Sequence, residues 1–408
     1  MPKIDPTRVM SDLRRLAEFG AYKTGVHRPT YSADDMAARQ WLAGRMVEAG
    51  LVPEIDGIGN VIGRAKGSGP CVLTGSHTES QNYAGWLDGP LGVVYRLEAA
   101  PAIAADPAFA GKLVDVGAWA DEEGHFGSLL GSRSFCGDVS EAQIDAAMDR
   151  TTGIKMRDAL AAAGLADRPR AIIDLNRYVA YLEAHIEQGD WLEANNLKVG
   201  IVTSIVGIWQ YKLIFEGVQN HAGTTRMAIR KDAGLALARM CCEIDKAFPS
   251  VAGERTVWTT GQITLDPGAP SIIPGRAEML FQIRDVDPEV VVRLERTLAD
   301  LVAAANASGP CQVSIEKLRT GIPAKMDDGV QDAIEVAAER DVPGKHTRMP
   351  SGAGHDAQVF ARLMPASMLF VPSIGGISHH WTEDTKEEDI IDGAQVFTSA
   401  VAELLRRA

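Results

Sequence analysis

Residues 71–92, CVLTGSHTESQNYAGWLDGPLG, decide the fold because they join an apolar run, a polar loop and the start of a helical stretch. The apolar run has the length of a buried strand, and His77 follows it directly. Asp88 comes later in the loop, next to Gly89, and a helix is predicted over residues 92–100. Since α/β proteins bind ligands beyond the carboxyl ends of their strands, the segment predicts a layered α/β domain with its chemistry at His77 and Asp88.

The same alternation of strands and helices continues outward from this segment. Strands are predicted at residues 61–63, 72–75, 113–119 and 367–371. Helices are predicted at residues 5–20, 33–50, 329–340 and 390–408. In the second of these helices, we expect Ser32 or Asp34 as the N-cap and Gly50 as the glycine that ends it.

The middle of the chain has a different pattern. Residues 207–216, 257–265 and 277–284 alternate apolar with polar side chains, which is typical of half-exposed antiparallel strands. Further helices are predicted at 229–246 and 288–305. Two helices with three or four strands predict a small sandwich of their own. We therefore expect one domain in two pieces, 1–206 and 325–408, interrupted by an inserted domain at 207–324.

The composition limits the classes of function. The 408 residues include 41 Lys and Arg against 54 Asp and Glu, a net charge of −13 that argues against sequence-independent binding of nucleic acid. No run of about 20 apolar residues predicts a membrane span, and the N-terminal residues contain no apolar signal core. Five cysteines without CxxC spacing fit buried, unpaired thiols in a reducing compartment. We therefore expect a cytoplasmic protein with neither a nucleic-acid nor a membrane partner.

Side chains that commonly bind metals follow the apolar runs, and glycines border them. They are His77, Asp88, Glu122, Glu123, His185 and His379. Each also has an ordinary interpretation. A histidine after a strand can be a hydrogen-bonded loop residue, an Asp before Gly can be a turn residue, and the acidic triplet at 121–123 can be a solvated surface. Spacing alone leaves both a metal site and these alternatives open.

A pair of metal ions would explain why these residue types recur. Two divalent ions about 4 Å apart can share one carboxylate and one hydroxide. Three protein ligands for each ion leave a position open for water and substrate. A further carboxylate that binds no metal must take a proton from the water and deliver it to the leaving nitrogen. The adjacent Glu122 and Glu123 suit this division into one base and one ligand.

Several longer segments carry a family resemblance, in the same order along nearly the whole chain. They are GSHTESQNYAGWLDGPLGV, DEEGHFGSLLGSRSFCG, HIEQGDWLE, NHAGTTRMAIRKDA, IIPGRAEMLFQIRD, SGAGHDA and GGISHHWTED. Together they resemble the carbamoylase and hydantoin-utilisation amidase branch of the M20 metallopeptidase family, which includes N-carbamoyl-L-amino acid hydrolases, β-ureidopropionases and allantoate amidohydrolases. The resemblance implies an α/β fold with an aminopeptidase-like catalytic domain, whose mixed sheet lies between helices, and an inserted α/β sandwich that serves as lid and dimerisation domain.

The resemblance also implies two divalent metal ions and assigns their ligands. One ion would be held by His77, Asp88 and His185, and the other by Asp88, Glu123 and His379, with Asp88 as the bridge. Glu122 would act as general base and acid, and His380 would bind no metal. Zinc is the metal expected first, with manganese, cobalt or nickel as alternatives, because mixed imidazole and carboxylate ligands do not select among these metals.

Further residues resemble family positions that contact the substrate. His221 resembles the histidine that polarises the scissile carbonyl. Arg284 resembles the arginine that holds the substrate carboxylate, although a surface arginine at a strand end is the alternative. Gln188 resembles a residue that bonds the ureido or amide head, and Asn220 and His355 are further candidates. The implied partners are a small carboxylate-bearing substrate and a second copy of the chain, in a homodimer formed through the lid.

Three positions depart from the family pattern. Glu79 replaces the aspartate of a His-x-Asp segment, and we expect its longer side chain to orient the His77 ring. Ser271 or Ile272 replaces an asparagine before the IPG turn, and Arg226 replaces a proline after NHAGTT. We expect Arg226 to face the pocket and meet a second negative group on the substrate. The alternative for Arg226 is a solvent-facing position at a helix start.

These observations predict metal-dependent hydrolysis of a linear amide or ureido C–N bond in an N-carbamoyl or N-acyl amino acid. The departures at Ser271 and Arg226 predict that the substrate is not a standard N-carbamoyl amino acid, or that it is held differently. A dipeptidase or aminoacylase of the wider family is the first alternative, and HIEQG and NHAGTT argue against it. A non-catalytic binding protein of the same fold is the second alternative, although every proposed metal ligand and Glu122 are present.

Overall fold

Two units make up the chain in the computed structural model, which describes all of residues 1–408. Unit 1 consists of Met1–Thr203 and Lys325–Ala408, and unit 2 consists of Ser204–Ala324. The α-helices, in chain order, are α1 Pro6–Glu18, α2 Ala33–Glu48, α3 Pro90–Ala105, α4 Leu130–Phe135, α5 Glu141–Ala146, α6 Met156–Ala162, α7 Trp191–Ala194, α8 Ala233–Ala247, α9 Pro288–Ser308, α10 Asp328–Asp341, α11 Ala357–Phe360 and α12 Glu387–Arg407.

The β-strands are distributed over both units. In chain order they are β1 Ala21–Tyr22, β2 Gly25–Val26, β3 Val52–Ile55, β4 Val61–Arg64, β5 Cys71–His77, β6 Leu113–Trp119, β7 Tyr178–Ile186, β8 Val199–Ile205, β9 Gly207–Glu216, β10 Asn220–His221, β11 Val257–Asp266, β12 Ile272–Ile273, β13 Arg276–Asp285, β14 Gln312–Arg319, β15 Ala324–Lys325, β16 His346–Ser351 and β17 Ala366–Val371.

A mixed sheet forms the centre of unit 1, in the order β15-β8-β17-β7-β5-β6-β4-β3, with β16 paired to β8. The central strands β6, β5, β7 and β17 run parallel to one another, whereas β4 and β8 pair with them in antiparallel fashion. Every residue of β5, β6 and β17 is buried, as expected for strands that are covered on both faces. The carboxyl ends of the four parallel strands therefore meet at one edge of the sheet.

Alternate side chains of the parallel strands serve the two faces of the sheet. Leu182 of β7 joins a core cluster with residues of α1, α2, α3, α10 and α12. Its neighbour Tyr181 stacks on Phe360 of α11, with ring centroids 4.0 Å apart. Trp119 of β6 packs against Phe135 of α4 at 5.0 Å and against Phe360 at 5.2 Å. The predicted mixed sheet between helices is therefore confirmed.

Unit 2 contains an antiparallel sheet in the order β11-β13-β9-β14 and a separate pair, β10 and β12. In β9, Trp209, Tyr211, Leu213 and Phe215 are buried, and the residues between them are half-buried. Residues of α8 and α9 pack against this buried face. The predicted sandwich of two helices on an antiparallel sheet is confirmed, because the alternation of side chains in the sequence matches the buried and exposed faces.

Two details differ from the sequence-based expectations. Helix α8 begins at Ala233 rather than near residue 229, because Met227–Ile229 forms a 3-10 helix and Asp232 caps α8 by accepting a hydrogen bond from the backbone N–H of Leu235 at 2.9 Å. All five cysteines are unpaired, but only Cys71 and Cys311 are buried, whereas Cys136 and Cys241 are half-buried and Cys242 is exposed. None of the helices combines the length and the apolar composition needed to cross a bilayer.

Candidate metal centre and active site

The five predicted metal ligands lie together at the carboxyl edge of the parallel strands in unit 1. His77 is the last residue of β5, and His185 lies one residue before the end of β7. Glu123 follows β6, and His379 follows β17. Asp88 lies in the loop between β5 and α3, which returns to the same edge. Residues that are far apart in the sequence meet here because the four strands are parallel.

Asp88 is the centre of this cluster, because its two carboxylate oxygens face different partners. Its Oδ1 lies 3.0 Å from Nε2 of His185 and 3.6 Å from Nε2 of His77. Its Oδ2 lies 3.3 Å from Nε2 of His379, which in turn lies 3.8 Å from Oε2 of Glu123. Within each of these two groups, the ligand atoms lie within 4.8 Å of one another. The structure thus places the five side chains in two groups that share Asp88.

The orientations of two histidine rings fit metal binding. Nδ1 of His77 lies 3.0 Å from the backbone carbonyl of Glu79, and Nδ1 of His185 lies 2.9 Å from that of Ile186. Because a carbonyl oxygen only accepts hydrogen bonds, each Nδ1 donates, and a neutral ring then presents a lone pair at Nε2. Nε2 of His77 is buried without a hydrogen-bond partner. A nitrogen lone pair and a carboxylate that face each other require a cation between them. The Nε2 atoms of the two histidines and the carboxylate of Asp88 therefore fit the ligands of a divalent metal ion.

The charges in the cluster also favour a cation. Burial raises the pKa of Asp88, but the attraction of the three neighbouring histidines outweighs burial and holds this pKa well below its usual range. Burial lowers the pKa of His379, yet Asp88 and Glu123 outweigh that effect and raise it to about 9. Positive charge is therefore stabilised at this place, whether protons or metal ions supply it.

Glu122 lies beside the two ligand groups and belongs to neither. Its side chain is 11% exposed, and its Oε2 lies 3.7 Å from Nε2 of His77. Burial raises the pKa of Glu122 well above its usual range, and the neighbouring Glu123 adds to this effect while His77 opposes it. A buried carboxyl group with a raised pKa next to a metal site is suited to general acid–base catalysis.

Unusual backbone conformations fix the loops that carry these side chains. Asp121 has a φ of 58° and His379 a φ of 55°, a region that residues other than glycine rarely adopt. Gly89 has a φ of 85°, and a Cβ at this position would lie 2.5 Å from the His77 ring. The glycine after Asp88 is therefore required for the loop to pass close to His77.

Asp121 shapes the turn that carries both glutamates, a role that sequence reasoning missed. Its Oδ1 accepts hydrogen bonds from the hydroxyl of Thr30 and the backbone N–H of His125, both at 2.8 Å. Its Oδ2 accepts from the backbone N–H groups of Phe126 at 3.0 Å and Gly127 at 2.7 Å. An Asp close to glycines indicates a turn, but the sequence did not indicate that Thr30 would lie beside it.

Glu79 does not make the contact that was expected of it. Its Oε1 lies 3.8 Å from Nδ1 of His77, which is beyond hydrogen-bond distance, and the ring bonds to the backbone carbonyl of Glu79 instead. The carboxylate accepts hydrogen bonds from the backbone N–H of Glu122 at 2.6 Å and from Nη2 of Arg39 at 2.9 Å. The expectation was wrong because the longer side chain extends past the ring.

Two of the predicted substrate residues, Gln188 and His355, lie next to the ligand cluster in unit 1. Nε2 of Gln188 donates to Oδ2 of Asp88 at 3.0 Å and to Oγ of Ser378 at 3.1 Å. His355 is buried, and its ring centroid lies 4.6 Å from that of His185. Gln188 therefore contacts the bridging carboxylate itself, whereas His355 packs against one of the ligands.

Two further residues support the ligand loops and were not predicted. Glu383 is buried, and its Oε1 accepts a hydrogen bond from the backbone N–H of Asp88 at 3.1 Å. Nε2 of Gln81 donates to Oε2 of Glu123 at 2.7 Å. Both residues occur inside the segments that carry the family resemblance, but no pattern of residues indicated these contacts.

His221 of unit 2 is held in one tautomer by its own loop. It is exposed on β10, and its Nδ1 accepts hydrogen bonds from the backbone N–H groups of Gly223 at 3.0 Å and Thr224 at 3.2 Å. In a neutral ring, Nε2 therefore carries the proton and can donate a hydrogen bond. Arg230, which sequence reasoning missed, ties this loop by donating from Nε to the carbonyl of Thr225 at 3.0 Å.

The remaining predicted residues of unit 2 lie on different elements. Asn220 is exposed on β10, which pairs with β12, and Ser271 directly precedes β12. Arg226 is exposed and precedes a 3-10 helix, as in the alternative considered for it. Arg284 is half-buried on β13, where burial and then the nearby Arg319 lower its pKa.

Comparisons with known proteins give the same family. The family profile described as Peptidase family M20/M25/M40 matches residues 73–403. An N-carbamoyl-L-amino acid amidohydrolase of Geobacillus stearothermophilus is 33% identical over 410 residues, which cover 98% of this chain and 99% of that protein. An allantoate amidohydrolase of Escherichia coli (strain K12) is 31% identical, with 95% of each protein covered.

A solved structure shows the same relationship in three dimensions. The crystal structure of an amidase of the hydantoinase/carbamoylase family from Burkholderia phymatum is 46% identical to this chain. It superposes with a TM-score of 0.91, and the alignment covers 100% of this chain and 99% of that one. The chain therefore belongs to peptidase family M20/M25/M40, in its hydantoinase/carbamoylase amidase branch.

Proposed function

We propose that this protein is a metal-dependent hydrolase that cleaves a linear amide or ureido C–N bond in an N-carbamoyl or N-acyl amino acid. The observation that carries the proposal is the pair of ligand groups that share Asp88, with the buried carboxyl group of Glu122 beside them. The relatives support a ureido bond in particular, since their names give N-carbamoyl-L-amino acids and allantoate as substrates.

The two groups would hold two divalent metal ions. The first would be bound by His77, Asp88 and His185, and the second by Asp88, Glu123 and His379. Zinc is the first choice, and manganese, cobalt or nickel would suit the same imidazole and carboxylate donors. When bound, the ions would polarise the scissile carbonyl and lower the pKa of a water molecule.

Glu122 would move the proton during the reaction. Its carboxylate would take a proton from the attacking water and then deliver it to the nitrogen that leaves. Burial favours the protonated form of this side chain, which would help Glu122 to hold the proton until the nitrogen accepts it. Both tasks require Glu122 to stay beside the ligand groups without binding a metal itself.

The predicted substrate contacts follow from the chemistry of each side chain. His221 would donate from Nε2 to the oxygen of the scissile carbonyl, which matches the tautomer that its loop imposes. Arg284 would hold the substrate carboxylate, because a planar guanidinium suits a planar anion. Gln188 would bond the ureido or amide head, with Asn220 and His355 as further candidates.

Unit 2 would serve as the lid and as the dimerisation domain. Strand β11 lies at the edge of its sheet, and nearly all residues of this strand are exposed. Val257, Ile263 and Leu265 are among them, at 52%, 51% and 41% exposure. An exposed edge with apolar side chains can pair with another chain, so a homodimer through unit 2 would cover it. Light scattering at several protein concentrations would measure the mass, and a monomer at all of them would contradict this part of the proposal.

The central test is a substrate screen of the protein loaded in turn with zinc, manganese, cobalt and nickel. The screen compares N-carbamoyl with N-acyl derivatives of the same amino acids. Release of ammonia together with free amine identifies a carbamoyl substrate, whereas free amine without ammonia identifies an acyl substrate. We expect turnover of at least one class, and faster turnover of dipeptides would instead support the dipeptidase alternative.

The Glu122→Gln variant completes this test. It should bind metal as the wild type does and should lose activity by about 10²–10⁴-fold, the usual contribution of general acid–base catalysis. Metal content is measured in the same samples, so that loss of metal cannot be mistaken for loss of the base. A wild-type protein that binds metal and cleaves none of these substrates would support the binding-protein alternative.

A further inference from the structure

The side chain of Glu79 marks a place where this chain departs from the His-x-Asp pattern of the family it resembles. We propose that Glu79 is a positioning residue that acts on the general base Glu122 through the backbone amide of Glu122, rather than on the metal ligand His77. The inference rests on the proposed function, because it concerns the position of the group that transfers the proton.

The ring of His77 does not need the Glu79 carboxylate. Its Nδ1 is bonded to the backbone carbonyl of Glu79 at 3.0 Å, and that bond already fixes both the tautomer and the orientation of the ring. The carboxylate oxygen nearest to Nδ1 is 3.8 Å away, too far for a hydrogen bond. The backbone carbonyl of Glu79 therefore orients the His77 ring, which is the role expected of an aspartate side chain in this segment.

The carboxylate of Glu79 is used elsewhere. Its Oε1 accepts a hydrogen bond from the backbone N–H of Glu122 at 2.6 Å, and its Oε2 accepts from Nη2 of Arg39 at 2.9 Å. Glu79 and Arg39 are both fully buried. Hydrogen bonds to an ionised carboxylate are stronger than those between neutral groups, and buried ones are shielded from water. The amide of Glu122 is thus bound to a fixed charge.

Arg39 is itself held in place on helix α2. Its Nε donates to Oδ2 of Asp35 at 2.9 Å, one helical turn away, and its Nη1 donates to the backbone carbonyl of Gly59 at 2.7 Å. Asp35 also accepts from the backbone N–H of Tyr31 at 2.8 Å. Asp35, Arg39 and Glu79, which join α2 to the amide of Glu122, are therefore all fully buried and hydrogen-bonded.

The hydrogen bond between the Glu122 amide and Glu79 lies at the turn that sets the direction of the Glu122 side chain. The preceding residue, Asp121, has a φ of 58°, so the peptide that joins it to Glu122 leads out of an unfavourable backbone conformation. A hydrogen bond to the amide of that same peptide fixes its orientation, and with it the direction in which the Glu122 side chain leaves the backbone. A shift of about 1 Å in a catalytic group can cost about 10²-fold in rate.

The first experiment uses Glu79→Asp, which restores the residue of the family pattern. It withdraws the carboxylate by one carbon–carbon bond, about 1.5 Å, from both Glu122 and Arg39. We expect kcat to fall about 10²-fold, while KM and the affinity of the metal-free protein for Zn²⁺ or Mn²⁺ change by less than about threefold. Metal affinity is measured by titration calorimetry, which does not depend on activity.

A role through His77 predicts a different result. When a residue that orients a metal-bound imidazole is substituted, the metal affinity falls about 10- to 100-fold. Excess metal then restores the activity. Weaker metal binding in Glu79→Asp, or an unchanged kcat, would overturn the inference. If Glu79 acts through the amide of Glu122, excess metal should not restore the kcat of Glu79→Asp.

Two further variants keep the test decisive if Glu79→Asp does not fold. In Glu79→Gln, the amide oxygen can still accept from the Glu122 N–H but the NH₂ group faces Arg39, so we expect a smaller loss of kcat than in Glu79→Asp. Arg39→Lys removes the forked donor that joins Asp35, Gly59 and Glu79, and it should also lower kcat without loss of metal. If both variants fold and keep the wild-type kcat, the positioning role is refuted.

Asp115→Asn provides the matched control for loss of a buried charge. Asp115 lies in β6, is fully buried and accepts hydrogen bonds from Nε of Arg177 at 2.6 Å and Nη2 at 2.9 Å, at the end of the strand away from Glu122. This variant should lower the melting temperature but keep kcat.

A wild type that binds metal and cleaves no C–N substrate contradicts the proposed function. An active wild type with an unaffected Glu79→Asp variant contradicts only the role of Glu79.

Discussion

The ligand cluster of unit 1 and the predicted substrate residues of unit 2 are held in different ways. His77, Asp88 and His185 are buried at a sheet edge, and each is bonded to backbone or side-chain groups from its surroundings. His221 and Arg226 are exposed, and His221 is oriented by bonds within its own loop. Functional loops on a rigid scaffold vary more readily than the scaffold itself. We therefore expect the chemistry to depend on unit 1 and the choice of substrate on unit 2.

The largest effect is expected for Asp88→Asn, which breaks the cluster at its shared member. An amide has no negative charge to balance two cations and can face only one of them with an oxygen. Since partners that merely support a ligand are worth about 10- to 100-fold in metal affinity, loss of the shared ligand should cost more than about 100-fold and abolish activity. Metal analysis after dialysis and calorimetry measure this loss.

Asp56→Asn is the control for this substitution. Asp56 is a buried carboxylate of unit 1 that accepts hydrogen bonds from the backbone N–H groups of Ile58, Asn60 and Ala171, and it lies outside the ligand groups. The Asp56→Asn variant should keep both metal and activity. If Asp88→Asn keeps wild-type affinity for metal, the ligand assignment is wrong.

A smaller effect, and one without loss of metal, is expected for His221→Ala. Removal of one donor to a developing oxyanion typically lowers kcat by about 10²–10³-fold. Metal affinity should stay unchanged, because none of the ligands lies in unit 2. His346→Ala removes a histidine that bonds to Glu339 in unit 1 and should leave kcat as it is. A loss of metal in His221→Ala would contradict the separation of roles between the two units.

Arg284→Lys should affect binding more than turnover. Lysine keeps the positive charge but loses the two parallel N–H groups that match a carboxylate. We expect KM to rise about tenfold, which corresponds to about 1.4 kcal/mol, with little change in kcat. The measurement is steady-state kinetics on one substrate and on its amide analogue without a carboxylate. If KM rises equally for both compounds, Arg284 does not recognise the carboxylate.

The spacing of apolar runs left a metal site and ordinary loop residues both open, and the family resemblance assigned the five ligand positions. That their side chains lie together follows from local signals, because apolar runs long enough for strands precede them and parallel strands end at a common edge. The alternation in 207–216 likewise predicted β9 with its observed bounds. These features depend on residue type and period, which a single sequence contains.

Contacts that depend on the reach of one side chain could not be predicted in this way. Glu79 was expected to orient His77, but one additional methylene carries its carboxylate to the amide of Glu122. Asp121 resembled a solvated acid and is instead buried in the turn, where it bonds to Thr30. In both cases the partner comes from a distant segment, and only the folded backbone determines whether the atoms meet.

The smallest effect concerns Arg226, whose role the sequence left open between a second anion contact and a solvent-facing position. Its exposure limits what it can contribute, since exposed ion pairs are worth about 1 kcal/mol or less, about fivefold in binding. If Arg226 meets a second negative group, Arg226→Ala should raise KM for a dicarboxylate ureido acid by up to about fivefold and leave KM for a monocarboxylate unaffected.

Arg226→Pro, which restores the family residue, should likewise reduce the preference for the dicarboxylate over the monocarboxylate. Arg239→Ala removes an equal charge from the exposed side of α8 and controls for the overall electrostatic field of unit 2. Equal losses on both substrates would leave Arg226 as a solvent-facing residue, and the choice of substrate would then have to come from the neighbourhood of Ser271.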